Sequence, residues 1–242
     1  MNVKFYKKYQ QINIKYNEIT YIKNYLNNEE CDKILLNFNK KNYYRWQYSN
    51  NIDADVDMYG IPYSYVRSNI CNINDYKKYK NLYKKNNEEI YKYIEDKIKN
   101  IPIKKQIGIQ CENNKKLIDV SPFIIRKYTN NRDNEIIHTD CDDNDKAIYS
   151  CNIYLNTPIG GELKIYDINI NPNYLNYTHN KFINNFIKKK LGIPNFIIKP
   201  QKGDLIIFNT SYPHYVEKCE NERYSIQTFI TIDLNKNLYF GI

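Results

Sequence analysis

The chain has 242 residues, of which 42% are hydrophobic and 15% aromatic, a composition that supports one folded core and argues against intrinsic disorder. Its 36 basic and 27 acidic residues leave a formal charge of +9, but the lysines are spread along the chain, which argues against a nucleic-acid-binding stripe. The amino terminus lacks the apolar core of a signal peptide, and no run approaches the roughly 20 apolar residues of a membrane span, so we expect an intracellular, cytoplasmic protein with no membrane partner.

The first half of the chain is predicted to be mainly helical. A short alternating apolar run leads into NNEECDKILLNF, where Asn27 or Asn28 can cap a helix that has acidic residues in its first turn. From about Asn74 to Asn100, apolar and aromatic residues recur at helical spacing until Pro102, which predicts one long helix. We therefore expect residues 1–115 to form a helical support region.

After Lys105 the pattern changes to short strands rich in Ile, Tyr, Phe, Val and Thr, separated by Gly, Pro and Asn. Their close succession indicates a double-sheet jelly roll instead of alternating β-α units. We expect an α+β, mainly β protein: a single domain over residues 1–242 whose double-stranded β-helix core spans residues 116–242. An insertion at residues 168–192, with a helical pattern in NKFINNFIKKKLG, is a place where substrate selectivity commonly lies. The predicted strands are VSPFIIRKYT, KAIYSCNIYLN, GGELKIYD, NFIIKP, GDLIIFNT, HYVEK and RYSIQTFITIDL.

Polar residues at the predicted strand ends form a candidate iron site. His138 and Asp140 are two residues apart, so at a strand end their side chains point to the same side. With His214, at the start of a later strand, they supply two imidazoles and one carboxylate, a set that holds one face of Fe(II) and leaves the other positions open. Arg223 begins the next strand and Ser225 shares its face, so an inward guanidinium there would suit the far end of a dicarboxylate.

Each of these residues also has a plainer interpretation. A single histidine is more often structural than a metal ligand, but the chain has only 3 histidines, and two of them fall where the strands converge. The third, His179, lies in a polar segment and is predicted to be a surface residue. Arg223 could instead form a salt bridge with Glu220 or Glu222. Asp140 favours hydroxylation or desaturation over halogenation, because a halide would have to occupy its position on the iron.

These motifs resemble the Fe(II)/2-oxoglutarate-dependent oxygenases, specifically the prolyl 4-hydroxylase-like branch. NEECDKIL is similar to the N-terminal helix motif of that branch, and VRSN at Val66–Asn69 is similar to its arginine-containing strand. The remaining motifs follow in the order and at the approximate spacing of the family: RKYTN, HTD, YSCNIYLN, GGELKIY, PQKGDLIIFN, PHYV and RYSIQTFITID.

The resemblance implies that His138, Asp140 and His214 are catalytic residues that bind Fe(II), and that Arg223 binds the distal carboxylate of 2-oxoglutarate. The other carboxylate and the keto oxygen of this cosubstrate would bind the metal. O₂ is the second cosubstrate, and ascorbate is a further requirement to test. The implied enzyme is an oxidoreductase, a dioxygenase that hydroxylates an unactivated C–H bond while 2-oxoglutarate is converted to succinate and CO₂.

The same resemblance assigns further residues. Tyr128, ten residues before His138, and Tyr154 match tyrosines that hydrogen-bond the cosubstrate, although the chain has 26 tyrosines and either could be a core residue. Ser225 is expected to line the cosubstrate pocket. Arg67 resembles an element that lines a peptide groove, and GGEL is expected to form a tight turn between strands.

The substrate stays open at this point. The basic residue at position 223 is an arginine, as in the oxygen-sensing prolyl hydroxylases. Gln227 is larger than the residue that many relatives have at the same position. The insertion at residues 168–192 has no clear counterpart. The favoured substrate is a prolyl or other side chain in a protein or peptide, and the alternative is a free amino acid or small metabolite. A nucleic-acid demethylase would be expected to carry a second arginine after Arg223, and SIQTFIT has none. A non-catalytic jelly-roll binding protein is the competing hypothesis, against which the complete triad argues.

Overall fold

The computed structural model describes residues 1–38, 41, 43–47, 53–67, 69–104, 106–113, 116–129, 135–140, 148–175, 178, 180–232 and 238–241. Within these ranges, no helix combines the length and apolar character needed to cross a membrane. The helices are α1 (Asn28–Phe38), α2 (Ser64–Arg67), α3 (Ile73–Lys85), α4 (Glu88–Lys99) and α5 (Lys181–Leu191), with a 3-10 helix at Pro172–Leu175. The strands are β1 (Asn2–Tyr6), β2 (Glu18–Ile22), β3 (Tyr44–Gln47), β4 (Asp53–Tyr59), β5 (Gln106–Asn113), β6 (Lys116–Asp119), β7 (Ile124–Tyr128), β8 (Ile148–Tyr154), β9 (Leu163–Ile165), β10 (Phe196–Ile198), β11 (Leu205–Asn209), β12 (His214–Val216), β13 (Arg223–Ile232) and β14 (Leu238–Gly241).

Two sheets form the jelly roll predicted from the sequence. Strands β7, β13, β8 and β11 are neighbours in the larger sheet, while β10, β9 and β12 form the smaller one. The chain passes repeatedly between them, from β8 to β9 and β10, back to β11, across to β12 and back to β13. Ile206 and Phe208 of the larger sheet pack against Leu163 and Ile165 of the smaller sheet, so the two sheets face each other. All seven strands expected after Lys105 are present.

The alternation of side chains along β13 separates a structural face from a polar face. Tyr224 and Ile226 point to the main core, in which side chains of α1, α3 and α4 cover the outer face of the larger sheet. Arg223, Ser225 and Gln227 leave the strand on the opposite, inner face and are all buried. A buried polar face costs free energy unless its groups find partners, so the inner face is the expected location of a binding site.

Asparagine side chains define the helix ends and correct one prediction. Asn27 and Glu30 form a capping box at α1: the Asn27 side-chain oxygen accepts from the Glu30 N–H at 2.8 Å, and the Glu30 carboxylate accepts from the Asn27 N–H at 2.7 Å. The single helix predicted over Asn74–Asn100 is wrong, because α3 ends and α4 begins at Asn86–Asn87. The Asn87 amide donates to the backbone carbonyl of Tyr83, a local bond that competes with helical continuation.

The region before residue 115 contains more sheet than expected. Strands β1–β5 lie there, and β4 pairs with β7, extending the larger sheet beside the proposed site. The resemblance implies a strand at VRSN, but Val66 and Arg67 are instead the last residues of the short helix α2, and Ser68 lies outside the described residues. The helix follows Pro62, whose carbonyl accepts a hydrogen bond from the Tyr65 N–H at 3.1 Å. Proline suits the start of a helix, where its missing N–H leaves no bond unmade.

Candidate metal centre

Three predicted ligands, His138, Asp140 and His214, come together between the two sheets. Their donor atoms all lie within 4.8 Å of one another. The Asp140 carboxylate oxygens lie 3.8 Å from Nε2 of His138 and 3.7 Å from Nε2 of His214, too far for hydrogen bonds but suitable for donors that converge on one ion. Two imidazoles and one carboxylate are the facial set that binds Fe(II), so the residues present fit this metal.

Main-chain hydrogen bonds hold the ligand segments side by side. His138 and His214 form an antiparallel bridge, in which each backbone N–H donates to the other's carbonyl at 3.0 and 2.9 Å. The Asp140 N–H donates to the Thr210 carbonyl at 3.0 Å, and the Thr210 hydroxyl donates to the Asp140 carbonyl at 3.1 Å. The sequence predicts a strand end at His138, whereas this segment has a single bridge instead of a regular strand. Two residues along an extended chain still point to the same side, so the predicted convergence is retained.

A second pair of contacts orients the two imidazole rings. Nδ1 of His138 lies 2.9 Å from the carbonyl oxygen of Ile136, and Nδ1 of His214 lies 2.9 Å from that of Tyr212. A carbonyl oxygen only accepts hydrogen bonds, so each Nδ1 carries the proton and each Nε2 presents its lone pair toward Asp140. This is the tautomer that a metal ion bound at Nε2 requires.

Burial keeps His214 in its neutral, metal-binding form. Only 4% of the residue is exposed, and its ring packs against Phe208 with 4.9 Å between ring centroids. Burial lowers the pKa of His214 to about 4, and the positive charge that His138 can carry acts in the same direction, against the opposing carboxylate of Asp140. The imidazole is therefore unprotonated at neutral pH.

We expect the metal-free protein to lose stability as the pH falls from about 6.5 to about 4. The unfolded chain takes up the His214 proton near pH 6.5, whereas the folded chain takes it up only near pH 4. Protonation therefore favours the unfolded state throughout this window, and the full effect is on the order of 3 kcal/mol. Urea unfolding at several pH values measures it. His214→Gln should show a smaller loss, and an unchanged slope in this variant would contradict the assignment.

Arg223 points into the interior, as predicted, and only 4% of it is exposed. Its Nη1 donates to the carbonyl of Gly161 at 2.7 Å. The guanidinium carbon lies 4.2 Å from the ring centroid of Tyr128 and 5.3 Å from that of Tyr154, so two aromatic rings line its pocket. The guanidinium is thus held in one orientation by the backbone and the two rings.

Arg223 does not form the alternative salt bridge with Glu220 or Glu222. Glu222 pairs with Lys127, and in the described part of the chain no carboxylate forms an ion pair with Arg223. Its Nε, also buried, has no hydrogen-bond partner among the described residues. A buried cation with an unused donor fits an anionic ligand, such as the distal carboxylate of 2-oxoglutarate.

The GGEL motif forms the predicted tight turn, and its glycines determine how closely the Arg223 side chain can pack against this turn. Gly160 and Gly161 have φ angles of 79° and 74°, in the left-handed region that glycine tolerates. A Cβ atom at Gly161 would lie 3.2 Å from Cδ of Arg223, and one at Gly160 would lie 2.3 Å from the Lys218 carbonyl oxygen. Glycine at both positions therefore lets the turn close over the guanidinium.

The segment that carries these groups matches a known family. Residues 124–231, which contain the three candidate ligands and Arg223, match the sequence profile of the 2OG-Fe(II) oxygenase superfamily. This segment is a 2OG-Fe(II) oxygenase domain. A search of curated proteins finds no match to the sequence.

One solved structure is similar enough in fold to support a comparison, and a second is more distant. A prolyl hydroxylase from Trichoplax adhaerens, in complex with a hypoxia inducible factor oxygen degradation domain peptide fragment, matches with a TM-score of 0.50 and 17% identity over 91% of this chain and 86% of that chain. An N-substituted L-amino acid dioxygenase from Burkholderia ambifaria matches with a TM-score of 0.45 and 12% identity over 57% of this chain. The match spans 58% of the Burkholderia chain.

The oxygenase domain brings the other predicted cosubstrate residues onto the same inner face. In the larger sheet Arg223 lies opposite Tyr128, and Ser225 lies opposite Tyr154. Tyr154 is 3% exposed and Ser225 1% exposed. Burial raises the pKa of Tyr154 to about 12, although the charge of Arg223 opposes the shift, so its hydroxyl stays a proton donor at neutral pH. Contact of these residues with a cosubstrate stays a prediction.

Two other residues that the sequence singled out cannot be placed in the site. His179 lies outside the described residues, and so does the side chain of Arg67, whose backbone ends α2. Gln227, by contrast, lies on the inner face of the oxygenase domain, where its Nε2 donates to the Ser150 hydroxyl at 3.0 Å. A role for Arg67 in substrate binding stays a prediction.

The insertion of the oxygenase domain holds the segment that leads into His138. Asn184 of α5, 2% exposed, accepts a hydrogen bond from the Ile137 N–H at 3.0 Å and donates to the Glu135 carbonyl at 2.9 Å. The buried Thr178 hydroxyl donates to the Ile137 carbonyl at 2.8 Å. The sequence predicts a role of the insertion in substrate selectivity. Its contacts with residues 135–137 indicate a second role, the positioning of the metal ligand His138.

We expect Asn184→Leu to weaken metal binding by about tenfold, the lower end of what loss of a group supporting a metal ligand costs. The substitution leaves the buried Ile137 N–H and Glu135 carbonyl without partners and frees the His138 segment. Calorimetric titration with Co(II), a redox-stable substitute for Fe(II), measures the affinity. Phe186→Ala, on the exposed side of the same helix, is the matched control. Equal affinities in the two variants would contradict the positioning role.

Sequence reasoning missed several polar residues near the centre. Arg126 precedes Tyr128 by two residues on β7, so strand alternation alone places it on the same inner face. Ser150 and Asn152 precede Tyr154 by four and two residues on β8, and the same alternation applies to them. Asn184 had no comparable signal, because its contacts with the His138 segment depend on the tertiary fold.

Proposed function

We propose that this protein is an Fe(II)- and 2-oxoglutarate-dependent dioxygenase that hydroxylates an unactivated C–H bond, most fittingly of a prolyl or other side chain in a protein or peptide. The observation that carries the proposal is the convergence of the His138, Asp140 and His214 donors beside the buried guanidinium of Arg223. One group supplies metal ligands, and the other supplies the cation that a dicarboxylate needs.

The residues have distinct roles in this proposal. His138, Asp140 and His214 hold the metal through Nε2, a carboxylate oxygen and Nε2. Arg223 binds the distal carboxylate of 2-oxoglutarate through its planar fork, which a guanidinium provides and an ammonium does not. When bound, Fe(II) with 2-oxoglutarate and O₂ supplies the oxidising power, releasing succinate and CO₂ and leaving one oxygen atom on the substrate.

The surrounding residues orient the cosubstrate and exclude water. Tyr128 and Tyr154 line the pocket of Arg223 and would donate their hydroxyl protons to the cosubstrate carboxylate. Ser225 lies opposite Tyr154 in the neighbouring strand and two residues from Arg223, and it leaves space because its side chain is small. Burial of Tyr154 and Arg223 removes water that would otherwise compete for the same hydrogen bonds.

A peptide is the favoured substrate. The resemblance of the motifs to the prolyl 4-hydroxylase-like branch supports it, and the Trichoplax adhaerens enzyme with the same fold was solved with a peptide fragment. The alternative is a free amino acid or small metabolite. The competing class, a jelly-roll binding protein without activity, is opposed by the complete set of metal ligands and the retained anchor.

Succinate formation from 2-oxoglutarate with Fe(II) and ascorbate tests the proposal. A pool of proline-containing peptides is compared with a pool of free amino acids, and His138→Ala serves as the blank. Stimulation by peptides supports a side-chain hydroxylase, whereas stimulation by free amino acids alone supports the small-molecule alternative. Absence of succinate above the blank under all conditions would contradict the oxygenase and favour the binding protein. Omitting ascorbate tests whether it is required.

A further inference from the structure

A cluster of three uncharged polar side chains lies on the inner face of the larger sheet, beyond the residues proposed to hold the cosubstrate. Gln227 lies opposite Asn152, and Ser150 precedes Asn152 by two residues, so all three leave their strands on the same face. The Ser150 hydroxyl accepts from Nε2 of Gln227 at 3.0 Å and from the Asn152 amide at 2.8 Å. This hydroxyl therefore holds both amide groups in place.

The strand register places the cluster toward the metal ligands. Gln227 follows Arg223 by four residues along β13, a separation of about 13 Å in an extended chain, which exceeds the length of a five-carbon dicarboxylate. On the other side, Ser150 lies opposite Phe208, the residue whose ring packs against His214. The cluster thus lies at the end of the pocket that is remote from the proposed cosubstrate anchor.

Gln227 has one hydrogen-bonding atom that is not used. The residue is 2% exposed, and its Oε1 is buried without a hydrogen-bond partner among the described residues. A buried amide oxygen without a donor is costly, so we expect the atom to be paired when the site is filled. The cosubstrate cannot supply the donor, because both carboxylates and the keto group of 2-oxoglutarate only accept hydrogen bonds at neutral pH.

The side chains next to this amide are apolar on one side and polar on the other. Ile124 lies opposite Gln227 on β7 and packs in one cluster with Met58 and the partly buried Phe229. Asn152, on the other side, is only partly buried, so the polar cluster borders open space. One acceptor beside an apolar wall suits a ligand that has an N–H group next to an apolar ring or side chain.

We propose that Oε1 of Gln227 accepts a hydrogen bond from an N–H group of the substrate, so that the substrate is an amino-acid unit with an N–H close to the oxidised carbon. The inference rests on the proposed function and specifies its substrate class. The donor is either a backbone amide of a peptide or the amino group of a free amino acid. A prolyl nitrogen within a peptide has no N–H, so in a peptide oxidised at proline the donor belongs to a neighbouring residue.

Matched probes that differ only in the N–H group test the proposal. The protein is loaded with Fe(II) and 2-oxoglutarate without O₂, so that binding is measured by calorimetry in the absence of turnover. N-acetyl-L-proline N-methylamide, which has a single N–H, is compared with its N,N-dimethylamide, and L-proline with its N,N-dimethyl betaine. We expect the N–H form of one pair to bind at least about tenfold more tightly, since the methylated form leaves Oε1 unpaired. The pair that responds identifies the source of the donor.

Gln227→Met tests whether this preference comes from Gln227. Methionine has nearly the length of glutamine without its polar atoms, so the preference for the N–H form should disappear, while the Kd of 2-oxoglutarate changes less than about twofold. The unfolding temperature should not fall, because the substitution also removes an unpaired buried oxygen. Gln201→Met, the same substitution at an exposed glutamine, is the matched control and should keep the preference.

Other outcomes would overturn the inference. If the N–H and methylated forms bind equally, or no probe binds, Gln227 does not accept from a substrate N–H. If the preference persists in Gln227→Met, another residue recognises the probe or the added methyl group clashes elsewhere. Each of these results leaves the oxygenase proposal standing as long as the wild-type protein binds 2-oxoglutarate in the presence of Fe(II). Failure of that binding contradicts the proposed function itself.

Discussion

Replacing Asp140 with alanine is expected to lower Fe(II)-dependent succinate formation by more than about 100-fold, the upper end of what loss of a residue that only supports a metal ligand costs. The carboxylate is the only anionic donor within the candidate triad, and its oxygens face Nε2 of both His138 and His214. Without it, two neutral imidazoles have to hold a doubly charged ion, and the set is no longer facial. Succinate measured by NMR with saturating 2-oxoglutarate gives the comparison.

Thr139→Ala is the matched control for this substitution. It changes the residue between two predicted ligands without removing a donor of the triad, and succinate formation is expected to stay within about threefold of the wild type. Thermal unfolding without metal separates loss of the site from loss of the fold. Activity of Asp140→Ala close to that of the wild type would mean that these three residues do not form the catalytic metal site.

Replacing Arg223 with alanine is expected to raise the KM for 2-oxoglutarate by at least about 30-fold, the lower end of what truncating one partner of a buried charge pair costs. The guanidinium is 4% exposed and held by the Gly161 carbonyl, so no other described side chain takes over its position without rearrangement. The effect should lie mainly in KM, since the anchor acts on cosubstrate binding at a distance from the oxidised bond.

Two further variants define the geometry of this anchor. Arg223→Lys should recover part of the affinity, because an ammonium keeps the charge but lacks the planar fork. Arg45→Ala, which removes an exposed arginine paired with Asp57, should leave the KM unchanged. A normal KM for 2-oxoglutarate in Arg223→Ala would exclude the proposed anchor, and the buried guanidinium would then need another ligand.

The strands and the site could be predicted from the sequence because both depend on the two-residue alternation of side chains along an extended chain. Alternation along RYSIQTFITI separates Tyr224 and Ile226 of the core from Arg223 and Ser225 of the inner face. The same two-residue spacing brings His138 and Asp140 to one side, even though that segment forms a single bridge instead of a strand. Patterns of this kind survive changes in the exact strand boundaries.

The ends of the helices could not be predicted in the same way, because they depend on local hydrogen bonds and on proline, which a periodic pattern of apolar residues does not show. The apolar spacing continues smoothly from α3 to α4, but Asn86 and Asn87 bond to the preceding turn and divide the helix. The family resemblance places VRSN in a strand, but its first two residues, Val66 and Arg67, end a short helix that follows Pro62. In both places a side chain or a proline near the boundary decided the backbone conformation.

Contacts distant in sequence account for what was missed in the site. Asn184 bonds to Ile137 across 47 residues, and nothing in the insertion identifies this partner. Arg126 could have been found from its spacing to Tyr128, but its proximity to Tyr154 depends on the register of β7, β13 and β8. Features that require the relative position of three strands are not contained in any single segment.

We propose that His138, Asp140 and His214 hold Fe(II) in a form that 2-oxoglutarate chelates. The most direct measurement is the visible absorption of the protein with Fe(II) under anaerobic conditions as 2-oxoglutarate is added, because an iron-bound α-keto acid gives a charge-transfer band. We expect the band to appear in the wild type, to be absent in Asp140→Ala and to require more cosubstrate in Arg223→Ala. A wild-type protein without the band, or an Asp140→Ala variant that shows it equally, would contradict this metal site.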